Sequence, residues 1–261
     1  MTAGSGARGR GWCSAVNACI LLAMARDEAA FVAECAGINL YSEHSLHASL
    51  KAYLAAPGDR LEARVGGKVV DLVRADGELV EVQTGSLNKV ERKLLDLAQA
   101  GYHVRVVHPI VAEKIIRRLD PKTEELLSTR KSPKRGDLYD LFEPLTQARG
   151  LVASRNVTVE ALLVRSVEVK VRDGSGSWRR RGDRTVDREL VEVLSSRSFR
   201  TKSQWLGIVP RSLAQPWSSA VLGEALGIEP ERARKILYCL AQAGLLVEAG
   251  RDGKRKLYRK I

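Results

Sequence analysis

Glu62, Asp71, Glu81 and Gln83 lie in three runs of alternating residues between Arg60 and Gln83, and two glycine-containing turns separate these runs. Gly66 and Gly67 suit a two-residue hairpin loop, because glycine tolerates the positive φ angles of a type I′ turn. Asp76 and Gly77 suit a three-residue loop with Gly77 in the left-handed conformation. The three runs are therefore predicted to form an antiparallel meander of strands.

The two turns together determine which side chains share a face of this meander. They place Glu62 opposite Asp71 and Asp71 opposite Glu81, with Gln83 beyond them, because side chains alternate along a strand. The other face is predicted to be apolar and to consist of Leu61, Ala63, Val70, Leu72, Val80 and Val82. A two-residue second loop would bury Asp71 among the valines, which a buried face opposes.

Three neighbouring carboxylates need a compensating cation, because like charges directly opposite one another destabilise a sheet. A hard divalent ion is the simplest candidate, since Mg²⁺ prefers oxygen ligands and is usually held by one or two carboxylates, phosphate and water. Asp71, Glu81 and Glu62 are the predicted ligands. The alternative is a solvated outer face on which Arg64 or a lysine neutralises the acids.

The succession of elements around these acids resembles the PD-(D/E)XK nuclease superfamily, over roughly residues 40–110. A helix at 42–54 precedes strands at 61–65, 68–74 and 79–84, and a helix at 87–100 precedes a strand at 103–108. The resemblance implies an α+β, restriction-endonuclease-like fold, in which a mixed sheet has flanking helices. It also implies that Asp71 and Glu81 bind Mg²⁺ or Mn²⁺, and that Gln83 takes the third motif position, where most members have Lys.

Two further site residues follow from the same resemblance. Some members place the working lysine on the helix after the third strand, and Lys93 is the corresponding residue here, although it could also be an ordinary solvated lysine. Glu43 resembles a first-helix Glu that completes the metal shell in several branches, while the helix dipole alone also favours an acid in a first turn. Glu43, His47 and Lys51 share one face of the first helix.

The composition indicates an anionic partner. The 261 residues include 43 Lys and Arg against 31 Asp and Glu, a formal net charge of +12, which points first to nucleic acid. The low aromatic content, 5%, favours contact with duplex phosphates over base stacking on single strands. The four cysteines lack the paired spacing of zinc sites, so a reducing cytoplasm is expected. No apolar run approaches the roughly 18 residues of a membrane span.

The last part of the chain, roughly residues 187–261, predicts two helices and a hairpin. The first helix covers residues 218–226, Gly227 ends it, Pro230 suits the first turn of the second helix, and Gly244 suits its C-terminal end. A basic turn, GRDGKRK, then joins two short strands. This pattern resembles a winged-helix DNA-binding domain.

The winged-helix resemblance implies that the second helix lies in the major groove, with its N-terminal residues at the base edges. The helix candidates are Glu231, Arg232, Arg234 and Lys235, and the hairpin candidates for phosphate binding are Arg251, Lys254, Arg255 and Lys256. A winged helix that contacts protein, or a basic turn that is merely solvated, is the alternative. The net charge favours DNA, because phosphate neutralisation supplies most of the non-specific affinity.

Residues 111–186 are predicted to extend the core with basic loops. Residues 114–119 and 126–130 predict a hairpin, a helix follows from Asp137 to about Ala148, and 157–171 predicts a long strand or a bent pair. Two segments, TRKSPKRG and WRRRGD, have the composition of phosphate-contacting or flexible loops. Their candidate contacts are Lys131, Lys134, Arg135, Arg179 and Arg180. Residues 1–24 are predicted to be a disordered extension, or to precede the true start at Met24.

The leading functional hypothesis is a Mg²⁺-dependent endonuclease that hydrolyses phosphodiesters of DNA, with duplex as the expected form. Asp71 and Glu81 would hold the metal, Gln83 would orient the attacking water, and Lys93 would stabilise charge on the phosphoryl oxygens. The competing hypothesis is a non-catalytic DNA-binding regulator whose core serves as a scaffold or as the surface of a homodimer, which the neutral Gln83 favours. RNA processing is a third hypothesis. The combination of segments resembles a group of uncharacterised bacterial proteins.

Overall fold

A computed structural model describes residues 46–175 and 182–261. In this part of the chain, seven strands form one mixed sheet in the order β1-β2-β3-β4-β6-β7, with β5 paired to β4, and β8 and β9 form a separate hairpin. No helix in the described ranges is long and apolar enough to cross a membrane. The prediction of an α+β protein with a mixed sheet and flanking helices is therefore confirmed.

The elements of the first half have the following bounds: α1 Leu46–Leu54, β1 Arg60–Val65, β2 Lys68–Val73, β3 Leu79–Val82, α2 Asn88–Gln99, β4 Val104–Leu119, β5 Leu126–Lys131 and a 3-10 helix Leu138–Leu141. Those of the second half are α3 Phe142–Leu145, α4 Gly150–Ala153, β6 Val157–Arg172, β7 Asp183–Phe199, α5 Lys202–Leu206, α6 Ser219–Leu226, α7 Pro230–Gln242, β8 Leu246–Asp252 and β9 Arg255–Lys260.

The first three strands form the predicted meander with the predicted turns. Gly66 and Gly67 have φ angles of 55° and 74°, and Gly77 has a φ of 89°, so both loops use the left-handed conformations that glycine adopts without strain. Ala63 pairs with Val70 and Leu72 pairs with Val80. The register deduced from the turns is confirmed at these pairs.

Strands β2 and β3 contribute buried side chains to both faces of the sheet, whereas β1 is largely exposed, so the prediction of one apolar and one acidic face is wrong. Leu72, Val80 and Val82 pack under α1, whereas Val70 belongs to the cluster that packs under α2. Leu61, predicted to be inward, is 60% exposed. The alternation changes between Val70 and Leu72 because the strands are distorted around Asp71, a feature that a strict two-residue period cannot represent.

The sheet places a helix on each face. Strands β3 and β4 run parallel, and α2 connects them across one face of the sheet. Leu94 and Leu97 of α2 are buried in the larger apolar cluster, and Leu46 and Leu50 of α1 are buried in the smaller cluster on the opposite face. Asp71 and Glu81 therefore lie on strands between these two helices, and Lys93 lies on α2 itself.

Strand β4 is much longer than predicted. It continues through Pro109 to Leu119 instead of ending at His108. Strand β3 pairs with β4 only as far as Val107, and β5 begins its pairing at Ile115. Proline lacks the backbone donor of a ladder and is therefore tolerated where pairing changes. The predicted hairpin of β4 with β5 is present.

Two other predictions for the middle of the chain are corrected in extent. The helix expected from Asp137 to Ala148 is a 3-10 helix followed by the short α3, which contains Pro144, and Asp137 caps it through its side chain. The long strand expected at 157–171 is confirmed as β6. Residues 187–199, grouped with the C-terminal unit in the sequence analysis, lie in β7, which pairs with β6 in the large sheet.

The C-terminal helices and hairpin occupy the positions predicted from their caps. The Ser218 side chain caps α6, Gly227 ends it with a φ of 65°, and Pro230 opens α7. Trp205 stacks on Phe199 of the large sheet, with 4.5 Å between ring centroids. One continuous apolar cluster therefore joins α5, α6 and α7 to the sheet.

Candidate functional site

The predicted acids meet where strands β2 and β3 separate. The last ladder pair before the separation is Leu72 with Val80. Beyond it, the backbone amide of Val82 donates to Oδ2 of Asp71 at 2.8 Å, and the backbone amide of Asp71 donates to the Glu81 carboxylate. Side-chain oxygens thus replace the ladder bonds here, and the two carboxylates lie close enough to repel each other.

Glu81 is the buried member of the site. It is 7% exposed, and Lys93 of α2 donates to its Oε2 at 2.7 Å. Burial raises the pKa of Glu81, Lys93 opposes that rise, and the neighbouring Asp71 adds to it, with a net increase above the ordinary value. Ionised Glu81 is therefore stabilised incompletely by the protein's own groups.

Asp71 faces the opposite helix. Nε2 of His47 on α1 lies 3.3 Å from Oδ2 of Asp71, the same oxygen that accepts from Val82. His47 was identified in the sequence as sharing a helix face with Glu43 and Lys51, but it was given no role. This contact brings His47 of α1 into the site.

Glu62, the third predicted ligand, stands apart from the other two acids. The ladder joins Leu61 to Leu72 and Ala63 to Val70 without a Glu62 to Asp71 pair, and Glu62 has a φ of 48°. Its side chain is 68% exposed, and Lys51 donates to it at 2.6 Å, which lowers the pKa of Glu62. The predicted stack of three adjacent carboxylates is thus reduced to the pair of Asp71 and Glu81.

Gln83 lies next to the site but its amide is committed elsewhere. Its Nε2 donates to the carbonyl of Ser86 at 2.8 Å, which ties the end of β3 to the loop before α2. Its own carbonyl lies 2.7 Å from Nδ1 of His108, whose pKa is lowered by burial. These bonds assign Gln83 to holding the loop that positions α2 and Lys93.

Protein cations answer much of the acidic charge, as the alternative of neutralisation by a lysine anticipated. Lys51 contacts Glu62, and Lys93 contacts Glu81. Within residues 46–175 and 182–261, no three His, Cys, Asp or Glu side chains converge as a preformed metal shell. Glu43, the remaining predicted ligand, lies outside the described residues.

The Asp71 and Glu81 pair nevertheless fits a hard divalent ion. Both supply carboxylate oxygens, the donors that Mg²⁺ and Mn²⁺ prefer. Burial and the charge of Asp71 both oppose the ionisation of Glu81, and a cation bound between them would relieve both effects. Mg²⁺ commonly uses only one or two protein carboxylates, so two are sufficient.

A cleft of about 890 Å³ opens beside the acids, at the end of β3. Thr84, His47 and His108 line the end near the acids, and Lys114, Glu168 and Arg188 line the part formed by the long strands. His47 thus contacts Asp71 and borders the cleft at the same time. Asp71 and Glu81 are not among the described residues that line the cleft, so His47 is the link between the cleft and the pair of acids.

Two residues predicted to read DNA bases are engaged within the protein. Arg232 of α7 donates to Asp137 at 2.9 Å and to Asp140 at 2.8 Å, and Lys235 forms an ion pair with Glu143. These acids belong to the 3-10 helix, its cap and α3, against which α7 packs. The N-terminal turns of α7 therefore face the core of the protein at these two positions.

The other C-terminal candidates are at the surface. Arg234 is exposed beside Glu231, 3.9 Å away. Arg251 and Lys256 both contact Glu248 of β8, at 3.3 and 2.7 Å. Lys254 and Arg255 are exposed at the tip of the hairpin. Lys254 and Arg255 are thus the two of the four predicted phosphate contacts that lie at the tip, where Asp252 is the ladder partner of Arg255.

The basic loop before the 3-10 helix lies along the cleft. Lys134 lines the cleft, Arg135 pairs with Glu113 at 3.1 Å, and Lys131 ends β5. Gly136 closes the loop against β4, where a side chain would meet the carbonyl oxygen of Val111 at 2.7 Å. Arg179 and Arg180 lie outside the described residues, as do residues 1–24.

The residues that sequence reasoning missed are those brought together by the long strands. Lys114 of β4, Glu168 of β6 and Arg188 of β7 converge in the cleft. Their positions depend on the pairing of strands that are distant in the chain, since Lys114 and Glu168 are 54 residues apart. A hydrophobic pattern gives no register for such pairing, so local sequence offered no signal for this cluster.

Comparison with known proteins identifies relatives but no activity. A family model described as a domain of unknown function (DUF8091) matches residues 44–200. A protein of Treponema pallidum (strain Nichols), described as an uncharacterised protein, is 34% identical over 233 residues, which cover 85% of this chain and 87% of the relative. No solved structure matches the chain. The expected resemblance to uncharacterised bacterial proteins is confirmed.

Proposed function

We propose a function from the geometry of the residues, because this chain belongs to the DUF8091 family and the family's description states no activity. The proposal is a metal-dependent nuclease that hydrolyses phosphodiester bonds of DNA at the Asp71 and Glu81 pair. The matched segment, 44–200, includes this pair, Lys93 and the lining of the cleft formed by β4, β6 and β7.

The observation that carries the proposal is the arrangement of Asp71, Glu81 and Lys93. Two carboxylates meet at the separating ends of β2 and β3, and a lysine from the following helix lies 2.7 Å from one of them. The order helix, three-stranded meander, helix and parallel strand agrees with a PD-(D/E)XK core. In that resemblance a lysine on the second helix takes the place left by Gln83.

Each residue has a defined task in this proposal. Mg²⁺ or Mn²⁺ held by Asp71 and Glu81 would polarise the scissile phosphate and make a bound water more acidic. Lys93 places positive charge beside the site where phosphoryl oxygens gain negative charge. His47 and the amide of Val82 fix the Asp71 carboxylate, while Gln83 holds the loop that positions α2.

In this proposal the C-terminal helices and hairpin act as a winged-helix domain. They contact DNA through the hairpin instead of through Arg232 and Lys235 of the second helix. The helix pair and the hairpin support the resemblance. Because Arg232 and Lys235 are engaged with the core, the hairpin residues Lys254 and Arg255 are the better candidates for contact with DNA phosphates. Such contacts would be insensitive to sequence.

The test is incubation of the full chain with supercoiled plasmid, at low salt, with Mg²⁺, Mn²⁺ or EDTA. The parent is expected to nick the plasmid only with a divalent ion. Asp71→Asn and Glu81→Gln are each expected to abolish nicking and to keep DNA binding. Glu224→Gln, which neutralises an exposed acid on α6, is the matched control and should cut like the parent. Equal cutting by all four proteins would refute the assignment.

A folded RNA of similar length is the second substrate of the same assay. Phosphodiester chemistry does not distinguish the sugars, so preference for RNA would redirect the proposal to RNA processing. Glu62→Gln is an additional variant. Because Glu62 is exposed and paired with Lys51, the variant is expected to retain cleavage, which would remove Glu62 from the metal ligands.

A non-catalytic DNA-binding regulator is the second candidate function. The observation in its favour is that Lys93 and His47 already contact the two acids, while the amide of Gln83 is tied to Ser86. A divalent ion would have to compete with these contacts. Tight DNA binding, with no cleavage in Mg²⁺ or Mn²⁺ at any concentration tried, would favour the regulator.

A further inference from the structure

The cleft contains a group of positive charges organised by one buried carboxylate, Glu168. Glu168 is 5% exposed, and Lys114 donates to its Oε2 at 2.7 Å. Nζ of Lys170 lies 3.2 Å from its Oε1, and Nε of Arg188 lies 4.0 Å from its Oε2. The hydroxyl of Thr185 also donates to Oε1, at 2.9 Å. One negative charge is thus surrounded by three positive ones.

The long strands determine this arrangement. Lys114 pairs with Ser166 in the ladder of β4 and β6, and Glu168 pairs with Arg188 in the ladder of β6 and β7. Side chains at these positions emerge on the same face, because their register is fixed by the two ladders. Strands hold charged groups more rigidly than loops do, so the cluster is preorganised for a ligand.

The acidic residues of the cleft wall are already compensated from outside it. Asp140 and Glu143 border the cleft, and they are the partners of Arg232 and Lys235 on α7. Asp187, a third lining acid, accepts a hydrogen bond from the amide of Arg188 at 2.6 Å. The two basic residues of α7 therefore remove much of the repulsion that this wall would exert on an anion.

We propose that the cleft is the binding track for the sugar-phosphate backbone of the DNA substrate, with Lys114, Lys134 and Arg188 as phosphate contacts and Glu168 as the residue that positions Lys114 and Arg188. The inference deepens the proposed function and depends on it for the identity of the polyanion. The described lining contains no Phe, Tyr or Trp, so it suits phosphates better than stacked bases.

The track leads to the proposed centre. His47 lies at the end of the cleft near Asp71, and Thr84 lies at the end of β3, two residues beyond Val82. A backbone that occupies the cleft would thus pass His47, the residue that contacts Asp71 of the proposed centre. Lys134 and Arg188 are both substantially exposed, which allows them to contact a ligand, and replacing Arg188 removes only one long contact, at 4.0 Å, from buried Glu168.

The experiment measures binding of a fluorescein-labelled DNA duplex by anisotropy, in EDTA, between 50 and 200 mM salt. We expect Lys134→Ala/Arg188→Ala to bind about tenfold more weakly or worse at the lowest salt, and to lose about two from the slope of log affinity against log salt, because two phosphate contacts are removed. Lys122→Ala/Arg211→Ala removes the same charge from exposed positions that do not line the cleft, and should change affinity less than about twofold.

The outcomes separate this inference from the proposed function. Parental affinity and slope in the cleft variant, or an equal loss in the control, would overturn the binding track. Thermal unfolding at the parent's temperature shows that each variant is folded. Loss of binding in the cleft variant without any cleavage by the parent supports the track and refutes only the nuclease. Cleavage that needs Asp71 and Glu81, together with unchanged binding by the cleft variant, refutes only the track.

Discussion

Glu81 and Glu168 are both buried glutamates on central strands, yet their surroundings have opposite effects on ionisation. Burial and the nearby Asp71 raise the pKa of Glu81, with Lys93 as its cationic partner. Burial opposes the ionisation of Glu168 too, but hydrogen bonds from Lys114 and Thr185 and the charge of Lys170 outweigh it and lower its pKa to about 2. Neighbouring groups thus compensate the negative charge of Glu81 only in part, whereas Glu168 has more positive neighbours than its single charge needs.

This difference distinguishes a site that can take a cation from one that can take an anion. A carboxylate that is ionised at a cost in free energy gains from an added positive ion, and pKa values displaced in this way are typical of functional sites. A carboxylate surrounded by three cations leaves a local positive excess that favours phosphate. The comparison therefore supports the two proposals, which place chemistry in the region of Glu81 and substrate binding in the region of Glu168.

The largest expected effect is that of Glu81→Gln on cleavage, a loss of about 100-fold or more, as is usual when a group acting on transition-state charge is removed. The Glu81→Gln variant should nevertheless be more stable to unfolding than the parent at neutral pH. The pKa of Glu81 is raised in the folded state, so ionised Glu81 costs stability above that pKa, and the cost disappears as pH falls toward 4.5. Urea unfolding should show a variant more stable than the parent at pH 7.5 and similar to it at pH 4.5. A less stable variant at pH 7.5 contradicts the comparison.

Glu168→Gln should have the opposite effect on stability. The pKa of Glu168 is lowered from 4.5 to about 2, so its contribution is complete above pH 4.5 and is lost as pH falls toward 2. At about 1.4 kcal/mol per pKa unit, the lowering from 4.5 to about 2 corresponds to a loss of at most about 3.5 kcal/mol at pH 7, and solvent in the open cleft reduces it. Urea unfolding between pH 7 and pH 3 measures it. A variant as stable as the parent at pH 7 would show that Glu168 does not organise the cations.

Lys93→Met sharpens the comparison at the first site, since it removes the cation and keeps the apolar stem. Glu81 would remain buried beside Asp71, which should cost roughly 1–2 kcal/mol at pH 7. The loss should shrink as pH falls, because Glu81 then takes up a proton. Lys89→Met, one turn away and exposed, is the matched control for unfolding by urea and should be neutral. Equal stability of both variants at pH 7 would remove Lys93 from the site.

His47→Gln is expected to have the smallest effect. His47 is about one-third exposed, and Asp71 keeps the hydrogen bond from Val82 without it, so stability should change by less than about 0.5 kcal/mol. Because His47 lies between the acids and the cleft, cleavage should slow only a few-fold. Initial rates of plasmid nicking measure this. A loss as large as that of Glu81→Gln would place His47 among the groups that take part directly in the chemistry.

Local sequence chemistry was sufficient for the parts of the fold that turns and caps determine. The two glycine loops gave the register of β1, β2 and β3, and Ser218, Gly227 and Pro230 gave the bounds of the C-terminal helices. The register also brought Asp71 close to Glu81, whereas Lys93 was added by the PD-(D/E)XK resemblance. These successes share a cause, because each depends on residues close together in the chain.

The predictions that were wrong depend on long-range structure. The distortion at Asp71 and Glu62 arises where two strands separate, and it divided the expected apolar face between two helices. The cluster at Glu168 needs the register of β4, β6 and β7, which no local pattern supplies. Arg232 and Lys235 have the composition of base-reading residues, but the packing of α7 directs them to acids of the core.

The incompletely compensated charge of Glu81 has a consequence for identifying the native ion. A ligand that binds only the folded chain increases its stability by mass action, by about 2.7 kcal/mol at a concentration one hundred times its dissociation constant. Ions that bind to Asp71 and Glu81 should therefore raise the melting temperature of the parent but not that of Asp71→Asn/Glu81→Gln. A panel of metal salts in a melting assay can rank the candidates before any substrate is known.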